Sequence, residues 1–216
     1  MVLRPGVEFA GYRIVRAIGS GGMGSVYLAE HLRLERVVAL KVLHEKFTAD
    51  PKARRAFERE ATFAARLDHP NIFAVYDRSG SDDSTLWLSM RHIDGRDAVG
   101  LLLDEPDGLP AERAVRLITD AAHALDYAHG VGVLHRDVKP ANLLIDHDPR
   151  AGERAVLTDF GIARTLDDTV TQSGLAATLA YAAPERFTNE RADHRTDDQR
   201  VVYRWRWSGG RYVRSD

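Results

Sequence analysis

At Asp94-Gly95 the apolar pattern of this 216-residue chain changes period. Upstream, apolar and polar residues alternate between glycine-rich breaks, as in half-buried antiparallel strands. Downstream they recur every three to four residues, as on one face of a helix. One kind of element cannot carry both repeats, so the chain reads as α+β in two parts with a boundary near residue 95. Strands are predicted over 12–18, 25–30, 36–43, 72–76 and 85–90. A helix is predicted over 51–67, where Pro51 suits a first turn and Phe57, Ala61 and Ala64 share one side, before His69-Pro70-Asn71 breaks it. The clearest helix covers 110–130, with Ala114, Leu117, Ala121, Leu125 and Ala128 on a single stripe that must pack against something apolar.

Composition matters here for what it excludes. A hydrophobic content of 44% supports a sizeable core, and a net charge of −2 gives no overall pull toward nucleic acid or acidic membranes. With no cysteine there is no disulfide framework and no thiolate metal site. Neither a signal-peptide pattern nor a run long enough to span a bilayer is present, so the expectation is a cytoplasmic chain without a membrane segment.

Gly19-Ser20-Gly21-Gly22-Met23-Gly24 lets backbone amides approach phosphate oxygens that bulkier side chains would hold off. Alone, such a segment equally suits a flexible turn or a dinucleotide loop. A dinucleotide loop opens a helix, whereas Ser25-Val26-Tyr27-Leu28-Ala29-Glu30 alternates like a strand, so this loop reads as capping a hairpin over a nucleotide. One hairpin later, Val38-Ala39-Leu40-Lys41 places a lysine in an apolar strand, where an unpaired ammonium is costly. A lysine reaching out at a strand edge is the plain alternative. With the glycine segment upstream, the partner is read as ligand phosphate, and Glu60, chosen over Glu58 and Glu45, as the residue steadying the ammonium.

The most specific string is His135-Arg136-Asp137-Val138-Lys139-Pro140-Ala141-Asn142, followed by Asp159-Phe160-Gly161. With the glycine segment and VALK in the same order and spacing, the chain resembles the protein kinase superfamily, and GGMG, KPAN and DFGIAR are most similar to bacterial eukaryotic-like (Hanks-type) serine/threonine kinases. The resemblance runs from about residue 12 to residue 197. It implies a two-lobed protein-kinase-like α+β fold. Residues 1–11 would be an N-terminal extension, 12–95 a β-rich lobe with one main helix and the hinge, 96–197 a mainly helical but incomplete lobe, and 198–216 a tail outside the family.

The resemblance also implies ATP-dependent phosphoryl transfer to serine and threonine hydroxyls of protein substrates, with ATP and Mg²⁺ as cofactors. Asp137 would orient the acceptor hydroxyl and take its proton, Lys139 would reach the transferred phosphoryl group, and Asn142 and Asp159 offer the hard oxygens Mg²⁺ prefers. Ile18, Gly19, Ser20, Gly21, Gly22, Met23, Gly24, Ser25, Val26, Ala39, Lys41 and Met90 would contact the nucleotide, Met90 guarding the back of its pocket. His135 is read as a packed core residue. Thr169, Thr171 and Ser173 lie where such kinases autophosphorylate, and a phosphate there would pair with Arg136.

The departures lie mainly at the end. Arg91-His92 stands where the hinge commonly carries an acidic residue and an aromatic, and Ala177-Thr178 replaces the usual Gly-Thr ahead of Ala183-Pro184-Glu185. Asp197 matches the aspartate that fixes the catalytic-loop backbone, but the apolar continuation is absent, and Trp205-Arg206-Trp207-Ser208-Gly209-Gly210-Arg211 resembles no kinase segment. A basic-aromatic patch for nucleic acid or membrane is one reading of that stretch, and a shifted reading frame or truncated gene product the other. Without the following helices, the 110–130 stripe is expected to be left uncovered, inviting self-association through the second lobe. The alternative function is then an inactive remnant or an ATP-binding interaction module without turnover.

Overall fold

A computed structural model describes residues 2–148, 152–160, 197, 205–208 and 211–214, the last two stretches as backbone. The alternating first part forms strands β1 (Glu8–Phe9), β2 (Tyr12–Gly21), β3 (Gly24–His31) and β4 (Arg36–Leu43). With β5 (Val75–Arg78) and β6 (Trp87–Arg91) these make a six-stranded antiparallel sheet in the order β1-β2-β3-β4-β6-β5. The two-residue period sorts its side chains. Val38, Leu40 and Val42 of β4 enter a core with Tyr12, Ile14, Tyr27, Ala29 and Trp87, which leaves Ala39 and Lys41 on the opposite face.

Two helices follow β4: the single turn α1 (Glu45–Thr48) and α2 (Pro51–Ala64). In α2, Pro51 occupies the first turn, Asp50 caps it by accepting from the Lys52 amide at 2.9 Å, and Ala53, Phe57, Ala61 and Ala64 are buried along one side. The predicted extension to residue 67 is a tightened turn instead, with the Arg66 and Leu67 amides bonded to the carbonyls of Phe63 and Ala64.

The predicted strand over 72–76 is also corrected. Ile72 bridges to Leu157, the Phe73 amide donates to the Leu157 carbonyl at 3.0 Å, and only from Val75 does the chain join the six-stranded sheet. This divides the chain into two units. Among the described residues, the first holds 2–68 and 74–92, and the second holds 69–73, everything described from 93 to 160, residue 197 and the tail strands.

The second unit begins with β7 (Arg96–Asp97), α3 (Ala98–Asp104), β8 (Leu109–Pro110) and α4 (Ala111–Gly130). Just past the C-cap Val131 of helix α4, Gly132 adopts the left-handed conformation, φ +78°, that a helix C-terminus favours. After the 3-10 turn Pro140–Asn142 comes a hairpin of β9 (Leu143–Asp148) and β10 (Gly152–Leu157), with β7 on the outer edge of β9. Gly95 is required there, since a Cβ would lie 1.9 Å from the Ile145 carbonyl oxygen.

The stripe of α4 is not left uncovered. Ala114, Leu117, Ala121, Leu125 and Ala128 are all buried, and Ala114 and Leu117 share a core with Leu101, Leu109, Ile145 and Ala155. The hairpin of β9 and β10, absent from the sequence reading, supplies much of that cover. Two stretches of the tail are described: β11 (Trp205–Ser208) and β12 (Arg211–Arg214) pair antiparallel, and β12 adds to β8 with Tyr212 opposite Leu109. Among the described residues, no helix is long and apolar enough to cross a membrane.

Candidate functional site

In the first unit the register of the sheet gathers the proposed nucleotide contacts. Val26 stands opposite Lys41 and Ala39 opposite Met90, so these four residues share the sheet face away from the Tyr12–Trp87 core. Two irregularities in the β2–β3 register bulge β2 around Val15 and Ile18, a device that re-aims side chains, and Ile18 is left partly exposed.

The glycine segment is the turn of the β2–β3 hairpin, with Gly22 and Met23 at its tip between the paired Gly21 and Gly24. Its glycines serve different purposes. At Gly24 a Cβ would fall 2.2 Å from the Val42 carbonyl oxygen, so the backbone of β4 excludes any side chain. Around Gly21 and Gly22 a Cβ would meet nothing within 4 Å, so no atom of the described residues demands glycine there, and the room suits a phosphate drawn close to backbone amides. Ser20 and Ser25 pair with each other across the hairpin. Lys41 is 9% exposed in β4, while the Glu60 carboxylate on α2 accepts from Arg59 at 3.2 Å.

In the second unit two residues of the 135–142 string converge on one carboxylate. Lys139 Nζ lies 2.6 Å and Asn142 Nδ2 3.0 Å from Asp137 Oδ2, and Asn142 Nδ2 also donates to the Asp137 carbonyl at 2.8 Å. Because Nδ2 is so engaged, Oδ1 is the Asn142 atom suited to a cation. Thr158 donates its amide to the Asn142 carbonyl at 2.9 Å across the base of the β9–β10 hairpin, so the backbone next to Asp159 is tied to Asn142, and the two residues offer an amide oxygen and a carboxylate of the hard type Mg²⁺ takes. Asp159 and Arg136 both adopt positive φ, +60° and +63°, in the left-handed region where non-glycine residues are strained.

His135 and Asp197 hold this conformation. Asp197, fully buried, accepts from the amides of His135 and Arg136 at 2.7 Å each and meets His129 Nε2 at 3.0 Å. Burial pushes the Asp197 carboxyl up, but the His129 bond and the two backbone amides outweigh it and hold the group below the usual carboxylate range. His135 Nε2 lies 2.9 Å from the Thr158 carbonyl, which can only accept, so Nε2 carries the proton and Nδ1 accepts from the Asp137 amide at 3.2 Å. Burial lowers the His135 pKa against the pull of Asp197 and Asp137, in keeping with a neutral ring. The Phe160 ring packs on it at 4.5 Å. His135 is thus the packed residue the sequence suggested. Gly161, Thr169, Thr171, Ser173 and Glu185 lie outside the described residues.

Missed from the sequence were His129, which has no motif of its own, and His44, whose contacts reach residues more than 20 positions away. The apolar stripe of α4 offers no signal for the first, since His129 lies one residue beside it.

The protein kinase domain family matches residues 12–198. The serine/threonine-protein kinase PknF of Mycobacterium tuberculosis is 50% identical over 204 residues, covering 91% of this chain and 42% of that protein. PknJ of the same species is 49% identical over 197 residues, 90% of this chain and 33% of PknJ. The chain therefore spans less than half the length of these curated relatives. The crystal structure of the M. tuberculosis PknI kinase domain superposes with a TM-score of 0.75 at 41% identity, covering 93% of this chain and 74% of that one. The chain belongs to the protein kinase family, alongside its bacterial serine/threonine-protein kinases.

Proposed function

We propose that this chain transfers the γ-phosphoryl group of ATP to seryl or threonyl hydroxyls of protein substrates. The observation that carries the reading is the double engagement of Asp137 Oδ2 by Lys139 and Asn142, at 2.6 and 3.0 Å. It holds the carboxylate in one orientation, as a group must be held to accept a hydroxyl proton while transfer proceeds. Lys139 would neutralise charge on the moving phosphoryl group. Asn142 and Asp159 would hold Mg²⁺, which when bound neutralises phosphate charge. Lys41, steadied by Glu60, would anchor the nucleotide phosphates beneath residues 18–26, with Ala39 and Met90 beside the base.

In this reading residues 12–95 form the nucleotide-holding lobe and hinge, 96–197 the catalytic lobe, and the setting is the cytoplasm, where ATP is available. Phosphorylation of Thr169, Thr171 or Ser173 belongs to the same reading. Because the α4 stripe is buried, any self-association would use another surface.

The test is phosphate incorporation from labelled ATP into a generic protein acceptor with Mg²⁺, comparing the chain with Asp137→Asn. Incorporation that disappears in the variant is expected. Folded protein that binds ATP in a Lys41-dependent way yet transfers nothing would replace this reading with that of an ATP-binding module.

A further inference from the structure

The residue that follows the Lys41 strand is tied twice to the glycine hairpin. The His44 amide donates to the Met23 carbonyl at 2.8 Å, and His44 Nε2 lies 3.1 Å from the Gly21 carbonyl oxygen. A carbonyl can only accept, so the ring donates from Nε2. His44 sits at the N-cap of α1, a position where side chains commonly bond the helix amides, yet its side chain makes no such bond. The imidazole is directed across the end of β3 to the far strand of the hairpin.

We propose that His44 is a positioning residue, a latch that fixes the tip of the glycine hairpin for phosphate binding. A trans peptide carries its C=O and N–H on opposite edges. Anchoring the Gly21 carbonyl therefore sets the direction of the Gly22 amide, and anchoring the Met23 carbonyl sets that of Gly24. These tip residues most need such support. Among the described residues nothing lies within 4 Å of where a Cβ on Gly21 or Gly22 would stand, so packing gives little restraint, and glycine is the residue with most backbone freedom to lose. Since His44 directly follows β4, the latch also ties the tip to the strand that bears Lys41. The inference rests on the nucleotide-binding reading of the hairpin.

The experiment titrates Mg-ATP and adenosine by calorimetry into the wild-type chain and its Lys41→Ala, His44→Ala and His44→Gln variants, alongside hydrogen–deuterium exchange of the free proteins. His44→Ala should weaken ATP roughly three- to tenfold, as loss of one hydrogen bond allows, and leave adenosine, which has no phosphates, unchanged. His44→Gln, which keeps a donor of similar reach, should restore most of the loss. Exchange at residues 22–24 should quicken in His44→Ala. If Lys41→Ala weakens ATP while His44→Ala weakens neither ligand, or both equally, the latch falls and the nucleotide site stands. If the wild-type chain binds no ATP, the nucleotide reading falls, and the latch falls with it as a phosphate-binding device whatever the exchange rates.

Discussion

Gly24 and Gly22 stand two residues apart in one motif and differ in what glycine does for them. A methyl at Gly24 would meet the β4 backbone at 2.2 Å, and backbone cannot swing aside as a flexible side chain can. Gly24→Ala should therefore cost about 1–3 kcal/mol of stability through forced displacement of the hairpin from β4, seen as a lowered denaturation midpoint in urea. Gly22→Ala meets open space among the described residues and should change stability by no more than about 0.5 kcal/mol, leaving that midpoint nearly in place, while weakening ATP binding. Equal midpoints for the two variants would contradict the division of roles. His135 supplies a second prediction, in pH. Its neutral ring accepts from the Asp137 amide, and burial lowers its pKa, so the unfolded chain takes up a proton that the folded one refuses. Stability is then full above the unfolded value of about 6.5 and declines as pH falls below it. His69, lowered first by burial and then by His123, acts in the same direction and window, while Asp197, held low, adds its own loss only as pH falls below about 4. Thermal midpoints measured from pH 8 to pH 5 should be level at first and drop below about 6.5, with a shallower drop in His135→Phe; a profile as steep in the variant would remove His135 from the account. At this scale the proposed site residues were legible only jointly: Asp137, Lys139, Asn142, Asp159 and Lys41 each read singly as an ordinary polar residue, and their order and spacing together single them out. His44 and Asp197 mark the limit of legibility. Asp197 could be named only through the family likeness, and the bond from His44 to Gly21 joins positions whose meeting depends on a third strand.

Among the elements, α4 and β10 illustrate how burial and charge combine. Ala155 donates its amide to Asp120 of α4 at 2.8 Å, and Glu153 of β10 receives Arg113 through Nε and Nη2, the latter at 2.6 Å, as well as Arg116 at 2.7 Å. The bonds from Arg113 first, against the opposing effect of burial, hold the Glu153 carboxyl below its ordinary range. The Glu153 side chain is 11% exposed and that of Arg113 27%, but Arg116 is half in water, so the cluster should contribute about 1 kcal/mol and not several. Glu153→Gln should lower stability by about that amount, and the loss should shrink in an Arg113→Ala background, as a double-mutant cycle in denaturant would register. Strictly additive losses would mean that the pair is not coupled. The strong periodicities were read well here, α4 to within one residue of its start and β4 at both ends. Helix α3 escaped because Ala-Val-Gly-Leu-Leu-Leu is apolar without a face, and its start depends on Asp97 capping the Gly100 amide at 2.8 Å. The β9–β10 hairpin escaped because its segments lie against the motif-rich loop, and the expectation of an uncovered α4 stripe, drawn from the missing later helices, took no account of the cover it gives.

At the scale of the whole chain, the family match ends at residue 198, yet the backbone after it forms β11 and β12 and extends a sheet through Leu109, which is itself buried in the core shared by α3, α4, β9 and β10. Strand β8 is only two residues long, and such a fragment has little stability without a partner strand. Pairing with β12 supplies that partner at the point where the chain enters α4, the helix that orients His129 toward Asp197. A chain ending at residue 198 keeps every proposed site residue but loses the pairing opposite Leu109 and Pro110. Each net hydrogen bond contributes about 0.5–1.5 kcal/mol, so the shortened chain should be less stable by about 1 kcal/mol, a fall of about 2–4 °C in thermal midpoint for a protein of this size. ATP affinity should be unchanged, because residues 18–26, Ala39, Lys41 and Met90 all belong to the first unit. An unchanged midpoint would mean that the tail strands add nothing to the fold. Loss of ATP binding along with stability would mean that the nucleotide lobe does not hold its shape without them.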